Sequence, residues 1–98
     1  MFQEKEKYFN WLKIELENYF KDMPSVQVFL FGGALRHKKF NDVDVAIGGK
    51  IDDGDVIRLK ALFEASTFPY VVDVINFNRA SDKFKHNVMN HPIIWIKR

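Results

Sequence analysis

Two aspartates, Asp42 and Asp44, have the spacing that could build a metal site. They belong to the segment Asp42–Ile47, in which large apolar residues occupy every second position, as in a half-buried β-strand. Residues two apart in a strand point to the same side, so the two carboxylates come within reach of each other. Left unpaired they repel and one tends to take up a proton, whereas a divalent cation such as Mg²⁺ removes that conflict.

A third carboxylate, Asp73, lies in the middle of the next apolar segment, between Val72 and Val74. An unpaired charge in such a place is costly, and the same cation would satisfy it. Three carboxylates from two strands could hold a pair of metal ions about 3.5–4 Å apart, the arrangement that clamps both oxygens in a phosphoryl displacement.

Each aspartate also has a more ordinary interpretation. Asp42 could be a turn residue at the start of a strand, Asp44 could face solvent, and Asp73 could pair with a lysine. An isolated Asp-x-Asp pair favours these structural roles, so the interpretation depends on the residues that precede the pair.

Gly32 and Gly33 follow an apolar segment and open a basic stretch that contains Arg36–Lys39. Without a Cβ in the way, backbone N–H groups at such glycines can approach a phosphate, and Arg and Lys can bind it too. A tight turn and a solvated basic loop are the commoner uses of these two features. If the flanking strands pair, the glycines lie beside the two aspartates.

The elements that would position these residues alternate along the chain. Apolar residues recurring every three or four positions predict helices over residues 4–23, 52–66 and 81–90, with Asp52, Asp53 or Asp55 and then Ser81 as caps. Short segments rich in Val, Ile and Phe predict strands over residues 25–31, 42–47, 70–77 and, at a sheet edge, 93–96. This order predicts an α+β (mixed α/β) fold, with one small mixed β-sheet covered by helices. The helix positions assigned to the core include Ile14, Leu62, Phe84 and Val88.

Composition excludes several classes of protein. The 98 residues suit one domain, and 47% hydrophobic residues suffice for a core, which excludes general disorder. The absence of cysteine excludes a disulfide framework and a thiol nucleophile, and the net charge of +2 does not by itself indicate nucleic acid. The start Met1–Lys7 does not resemble a signal peptide, and no apolar run is long enough for a membrane span. We expect a soluble cytoplasmic protein with no membrane partner.

The segment FLFGGALRHKKFNDVDVAI resembles the nucleotidyltransferase superfamily that includes DNA polymerase β, in particular the minimal nucleotidyltransferases. These are small bacterial proteins often paired with an all-helical HEPN protein. Their pattern is an apolar strand, Phe-Gly-Ser, an arginine-containing stretch, Ser-Asp-x-Asp on a strand, and an Asp on a later strand. The residues that match it here are Gly32, Arg36, Asp42, Asp44 and Asp73. The ordered combination is more specific than any of its parts.

The resemblance implies a polymerase β palm-like fold and transfer of a nucleoside monophosphate, AMP from ATP in the first instance, to a hydroxyl acceptor. By the same resemblance, Asp42, Asp44 and Asp73 are the catalytic and metal-binding residues for two Mg²⁺ ions, and Gly32, Gly33 and Arg36 bind the nucleotide. The expected partner is a small HEPN-type protein, which the enzyme modifies in the role of an antitoxin. A homo-oligomer is compatible with the sequence.

Three positions depart from the pattern. Gly33 replaces the serine that contacts the triphosphate, so backbone N–H must bind it alone and the activity is expected to be weakened. Asn41 replaces the serine before the acidic pair, and Ala34 replaces the first arginine. The arrangement Gly-Gly-x-x-Arg also resembles the glycine turn of the CCA-adding and poly(A) polymerase branch of the superfamily.

Two other functions remain open. A catalytically weakened binding module could neutralise a helical partner by contact alone. A small basic protein could bind nucleic acid through Arg36–Lys39 and exposed aromatics, with steep salt dependence and indifference to mutation of the aspartates.

A few further residues are of types that often have functional roles, but their positions give little support for one. The histidines His37, His86 and His91 lack the spacing of three or four that a zinc pair on a helix needs. The two tryptophans, Trp11 and Trp95, are assigned to the core or an interface. Position alone suggests that Phe77 and Asn78, just past the third strand, line a pocket for the base.

Overall fold

A computed structural model describes residues 2–98 of the chain, and its side chains from residue 5 onward; Met1 lies outside the described residues. The helices and strands follow one another in the order α1 (Phe2–Phe20), β1 (Val26–Phe31), β2 (Asp42–Gly49), α2 (Asp53–Glu64), β3 (Val71–Asn76), α3 (Asp82–Met89) and β4 (Ile94–Lys97). Two short 3₁₀ turns, Gly33–Leu35 and Phe77–Arg79, follow β1 and β3. The elements are those that the sequence predicts, with shifts of one to three residues at most of their ends.

The four strands form one mixed sheet in the order β3-β2-β1-β4. β1 is antiparallel to both of its neighbours, whereas β2 and β3 are parallel because α2 connects them as a crossover. The predicted α+β class with a small mixed sheet is therefore confirmed, including β4 at an edge.

One face of the sheet carries the larger hydrophobic core. Alternate residues of β1 and β2 point into it, and α1 and α2 cover it. The fully buried side chains here include Leu12, Leu16, Phe20, Val28, Leu30, Val43, Val45, Ile47, Leu59 and Val74. The strand period of two therefore places the opposite residues of β2, Asp42 and Asp44, on the other face.

The second face has a smaller core that surrounds Phe29, Phe31, Ala46 and Val88. It is covered by α3, which has eight residues and packs here through Val88. Because this helix is short, the end of the sheet that carries Asp42 and Asp44 stays open.

Capping residues fix the starts of the two shorter helices. Asp52 is the N-cap of α2 and accepts a hydrogen bond from the N–H of Asp55, whose carboxylate in turn accepts one from the N–H of Asp52. Ser81 caps α3 by accepting from the N–H of Phe84. Both caps are among the predicted candidates, and the structure selects Asp52 from three aspartates.

Helix α1 ends at Phe20, three residues before the predicted end at Met23. The Lys97 ammonium group donates to the carbonyl oxygens of both residues, at 2.7 Å from that of Phe20. A side chain at the other end of the chain thus binds two carbonyls at the end of α1, where the carbonyl of Phe20 also accepts from the N–H of Met23 at 3.0 Å. None of the helices described within residues 2–98 is long and apolar enough to cross a membrane.

Some predicted positions are wrong. Ile14, Leu62 and Phe84 were assigned to the core, but 55%, 42% and 40% of their surface is exposed. Ile14 lies off the buried stripe of α1, whereas Phe84 shares the helix face of the buried Val88 and packs only edge-on against Phe31. Strand β2 also runs through Gly48 and Gly49, which were predicted to end it, because both glycines still pair with β1.

Candidate active site

Three carboxylates converge where β2 and β3 begin. Asp44 lies opposite Asp73 in the parallel register of the two strands, and Asp42 is the first residue of β2. One oxygen from each of the three side chains lies within 4.8 Å of the others. The sheet therefore brings together the three acidic residues that the sequence singled out.

The donor set of this cluster fits a hard divalent cation. Mg²⁺ binds oxygen at about 2.0–2.1 Å, so two ligands of one ion lie at most about 4.2 Å apart. Small rotations of the exposed side chains of Asp42 and Asp73 would bring the oxygens to that spacing. The remaining positions around the cation would be left for water and phosphate.

Asp44 has the least favourable environment of the three when no cation is present. Its side chain is half-buried, and this burial, with the charges of Asp42 and Asp73, raises the pKa of Asp44 above its usual value. Asp73 is exposed, whereas Val74, the next residue of the same edge strand, is fully buried on the other face of the sheet. The expectation that burial makes its charge costly is therefore wrong, and proximity to the other carboxylates is what favours a cation here.

Gly32 lies against the carboxylate of Asp44. Its φ of +88° and ψ of −166° fall in a region that glycine occupies almost alone. A Cβ at this position would lie 2.1 Å from Oδ2 of Asp44. The antiparallel register, with Phe31 opposite Asp44, causes this close approach.

Gly33 has different surroundings although it is the next residue. A Cβ added there would lie 3.5 Å from Cδ2 of His37, which is an ordinary contact. Gly33 opens the 3₁₀ turn, and its carbonyl accepts from the N–H groups of Arg36 and His37, both at 3.0 Å. The backbone thus turns tightly beside the carboxylates, while the conformation of Gly33 does not require glycine.

The basic stretch Arg36–Lys39 follows this turn and is exposed. Lys5 of α1 donates to the carbonyl of His37 at 3.2 Å and lies over the rings of Phe9 and Phe40. This contact attaches the stretch to the first helix. Positive charge is therefore held at the same end of the sheet as the acidic cluster.

Phe77 and Asn78 lie toward the opposite end of β2 from Asp44, and the base pocket suggested at these residues stays a prediction. The Asn78 amide donates to the carbonyl of Gly49 at 2.7 Å and accepts from its N–H at 3.3 Å. Gly49 is five residues from Asp44 along β2, which corresponds to about 16 Å. The ring of Phe77 packs against Phe29 in the second core.

Phe84 is the residue near the site that sequence reasoning missed. Its ring packs edge-on against the ring of Phe31, with 6.1 Å between centroids, and Phe31 is opposite Asp44 in the sheet. The spacing of Phe84 and Val88 on one helix indicated only a core position. The sequence predicts the length of α3 but not which part of the sheet this helix covers.

The acidic cluster on two parallel strands is consistent with divalent-metal binding, and the glycine turn and the basic stretch lie beside it. The sequence model of the family described as "Polymerase beta, Nucleotidyltransferase" matches residues 14–98. The chain belongs to this polymerase β-like nucleotidyltransferase family. None of the curated proteins compared with it matches its sequence.

Proposed function

We propose that residues 1–98 act as a single minimal nucleotidyltransferase domain, which moves AMP from ATP to a hydroxyl group of a partner protein. The observation that carries this proposal is the convergence of Asp42, Asp44 and Asp73 within 4.8 Å. Membership of the family supports a nucleotide substrate. The chemistry of the three carboxylates supports a divalent metal.

In the proposed reaction, the acceptor hydroxyl oxygen bonds to the α-phosphorus of ATP. The bond from that phosphorus to the bridging oxygen breaks, and pyrophosphate leaves. Two Mg²⁺ ions, when bound, would neutralise the phosphates and stabilise the attacking and leaving oxygens. Asp42 and Asp44 would hold both ions, and Asp73 would complete the site and take up the hydroxyl proton.

The triphosphate would lie along the glycine turn. The backbone approaches closely at Gly32 and Gly33, and the guanidinium of Arg36 would contact the β- and γ-phosphates as a charge-assisted donor. Gly33 has no hydroxyl to add to these contacts, so we expect weaker triphosphate binding than in relatives that carry serine. Positioning and charge neutralisation would supply most of the rate.

The acceptor in this proposal is a small all-helical protein of the HEPN type, and its modification would serve as an antitoxin function in the cytoplasm. The proposal for the partner derives from the likeness to minimal nucleotidyltransferases described above. A neighbouring gene for a small all-helical protein would support it.

A second candidate follows from Gly33. If the missing hydroxyl abolishes transfer, the chain would neutralise the same partner by contact alone. The two functions differ in their dependence on Asp44, because the contact module needs no metal. Asp44→Asn would then leave the biological effect of the protein unchanged.

The experiment incubates the wild type with Mg²⁺, α-phosphate-labelled ATP and the candidate partner or a lysate of cells that express the chain. Asp44→Asn removes a carboxylate of the cluster, and Asp22→Asn is the matched control at an exposed aspartate beyond the end of α1. Label on a macromolecule with the wild type and the control, and none with Asp44→Asn, supports transfer. No label from any of the folded proteins in the presence of the partner refutes transfer and favours the contact module.

A further inference from the structure

The ring of Phe84 is unusual among the exposed apolar side chains. Seven large apolar residues are exposed in the part of the chain whose side chains are described, and Phe84 is the one aromatic among them. Isolated exposed aliphatic residues are normal on protein surfaces. An aromatic ring beside a candidate nucleotide site has a further use, because it offers a flat face for stacking.

Two contacts place this ring near the acidic cluster. Phe31 and Asp44 are opposite residues of an antiparallel pair, so their side chains share one face with about 5 Å between their Cβ atoms. The ring of Phe84 meets that of Phe31 at an interplanar angle of 87°. Phe84 is therefore one ring removed from the side chain that neighbours Asp44, on the same face of the sheet.

The edge-on contact also leaves part of the Phe84 ring accessible to a ligand. Phe31 is only 9% exposed, so it offers little surface of its own, whereas Phe84 keeps 40% of its surface open. The N–H of Phe84 is bound to Ser81, and Val88 anchors the same helix in the second core. The ring is thus held by a capped and packed helix, and a ligand need not order it.

We infer that Phe84 stacks against the nucleobase of the nucleotide bound at the acidic cluster; this inference rests on the proposed function. With the triphosphate at Gly32 and the carboxylates, the ribose separates the phosphates from a base that extends over the second face toward Phe84. Every nucleobase has a π face, so the contact supplies affinity rather than strict choice of base. A purine base would overlap a larger area of the Phe84 ring than a pyrimidine base would.

The test measures binding of two ligands by calorimetry in the presence of Mg²⁺. ATP carries the base, and inorganic tripolyphosphate carries only the charges. Phe84→Ala is expected to weaken ATP binding by about 5- to 150-fold, the range for loss of a stacking aromatic, and to leave tripolyphosphate binding unchanged. The loss is expected to be larger for ATP than for CTP.

Three further variants separate stacking from folding. Phe84→Leu keeps apolar bulk against Phe31 without a flat ring and should weaken ATP binding, whereas Phe84→Trp should restore it. Met89→Ala removes another exposed apolar side chain of α3 and should have no effect on either ligand. Far-ultraviolet circular dichroism verifies that each variant is folded.

Each outcome decides a separate point. Equal ATP affinity in the wild type and Phe84→Ala overturns the stacking role and leaves the proposed function standing. An equal loss for ATP and tripolyphosphate also overturns it, because Phe84 would then act by supporting the phosphate site. Failure of the folded wild type to bind either ligand refutes the nucleotide site itself.

Discussion

A Cβ on Gly32 would lie 2.1 Å from the carboxylate oxygen Oδ2 of Asp44. The backbone of the glycine turn and the half-buried acid of the cluster therefore form one unit. This contact also distinguishes Gly32 from Gly33, because the surroundings of Gly33 leave room for a side chain. This difference gives a pair of matched substitutions.

Gly32→Ala is expected to destabilise the protein by about 1–3 kcal/mol, the scale for a non-glycine residue forced into this backbone region. It would also displace the Asp44 carboxylate and abolish nucleotidyl transfer. Gly33→Ala is the control, since its φ is not positive and its nearest contact is ordinary. Urea unfolding and the labelled-ATP assay measure both effects. Equal stability of the two variants would contradict the steric argument.

Gly33→Ser restores the hydroxyl that the resembling family carries at this position. A Cβ there meets only Cδ2 of His37 at 3.5 Å, so serine fits without moving the turn. We expect a lower KM for ATP and faster transfer at unchanged stability. Gly33→Ala has the same backbone effect without the hydroxyl and should show no gain. A gain in both variants would assign the effect to the backbone instead.

Asp44→Asn should stabilise the metal-free protein at neutral pH although it abolishes transfer. Burial and the charges of Asp42 and Asp73 raise the pKa of Asp44 in the folded state. Removal of this charge should add about 0.2–1 kcal/mol, the range for directly opposite side chains on a sheet. Mg²⁺ should raise the Tm of the wild type and not that of the variant. A variant less stable than the wild type in chelator would contradict the reasoning.

The same pKa shift fixes the sign of a pH dependence. The folded state binds the Asp44 proton more tightly than the unfolded state, whose pKa is near the ordinary value of 3.8. The free energy of unfolding therefore falls as pH rises from the unfolded pKa through the folded one, and the loss is complete above it. The stability of the wild type relative to Asp44→Asn, measured in chelator, should decline over that range. If the difference in stability between the wild type and Asp44→Asn does not change with pH, the inferred pKa shift of Asp44 is refuted.

Lys97→Met is expected to destabilise the fold without changing nucleotide binding. The ammonium group donates to the carbonyl oxygens of Phe20 and Met23, and methionine keeps the apolar length but no donor. Hydrogen bonds to charged groups contribute about 1.5–3 kcal/mol, and we expect a loss at the low end because Lys97 is only half-buried. Lys60→Met, at an exposed position of α2, is the control. A similar small change in both would show that the cap contributes little.

Local patterns in the sequence determined the elements and the common face of Asp42 and Asp44. Both depend on short-range geometry: Pro24, Gly32 and Pro92 interrupt regular structure, and a strand repeats every two residues. The caps Asp52 and Ser81 are local in the same way, since each bonds a backbone N–H three residues ahead. These features are predictable from the sequence because residues close to one another along the chain produce them.

Only the tertiary structure decided which residues face one another across elements. The register of Asp44 with Asp73, the edge position of β3 and the close approach of Gly32 all depend on strand pairing over long separations in sequence. The exposure of Phe84 has the same origin, because the helical period marks a stripe but not how far the sheet extends beneath it. Residues distant in sequence set these contacts, and no local pattern encodes their positions.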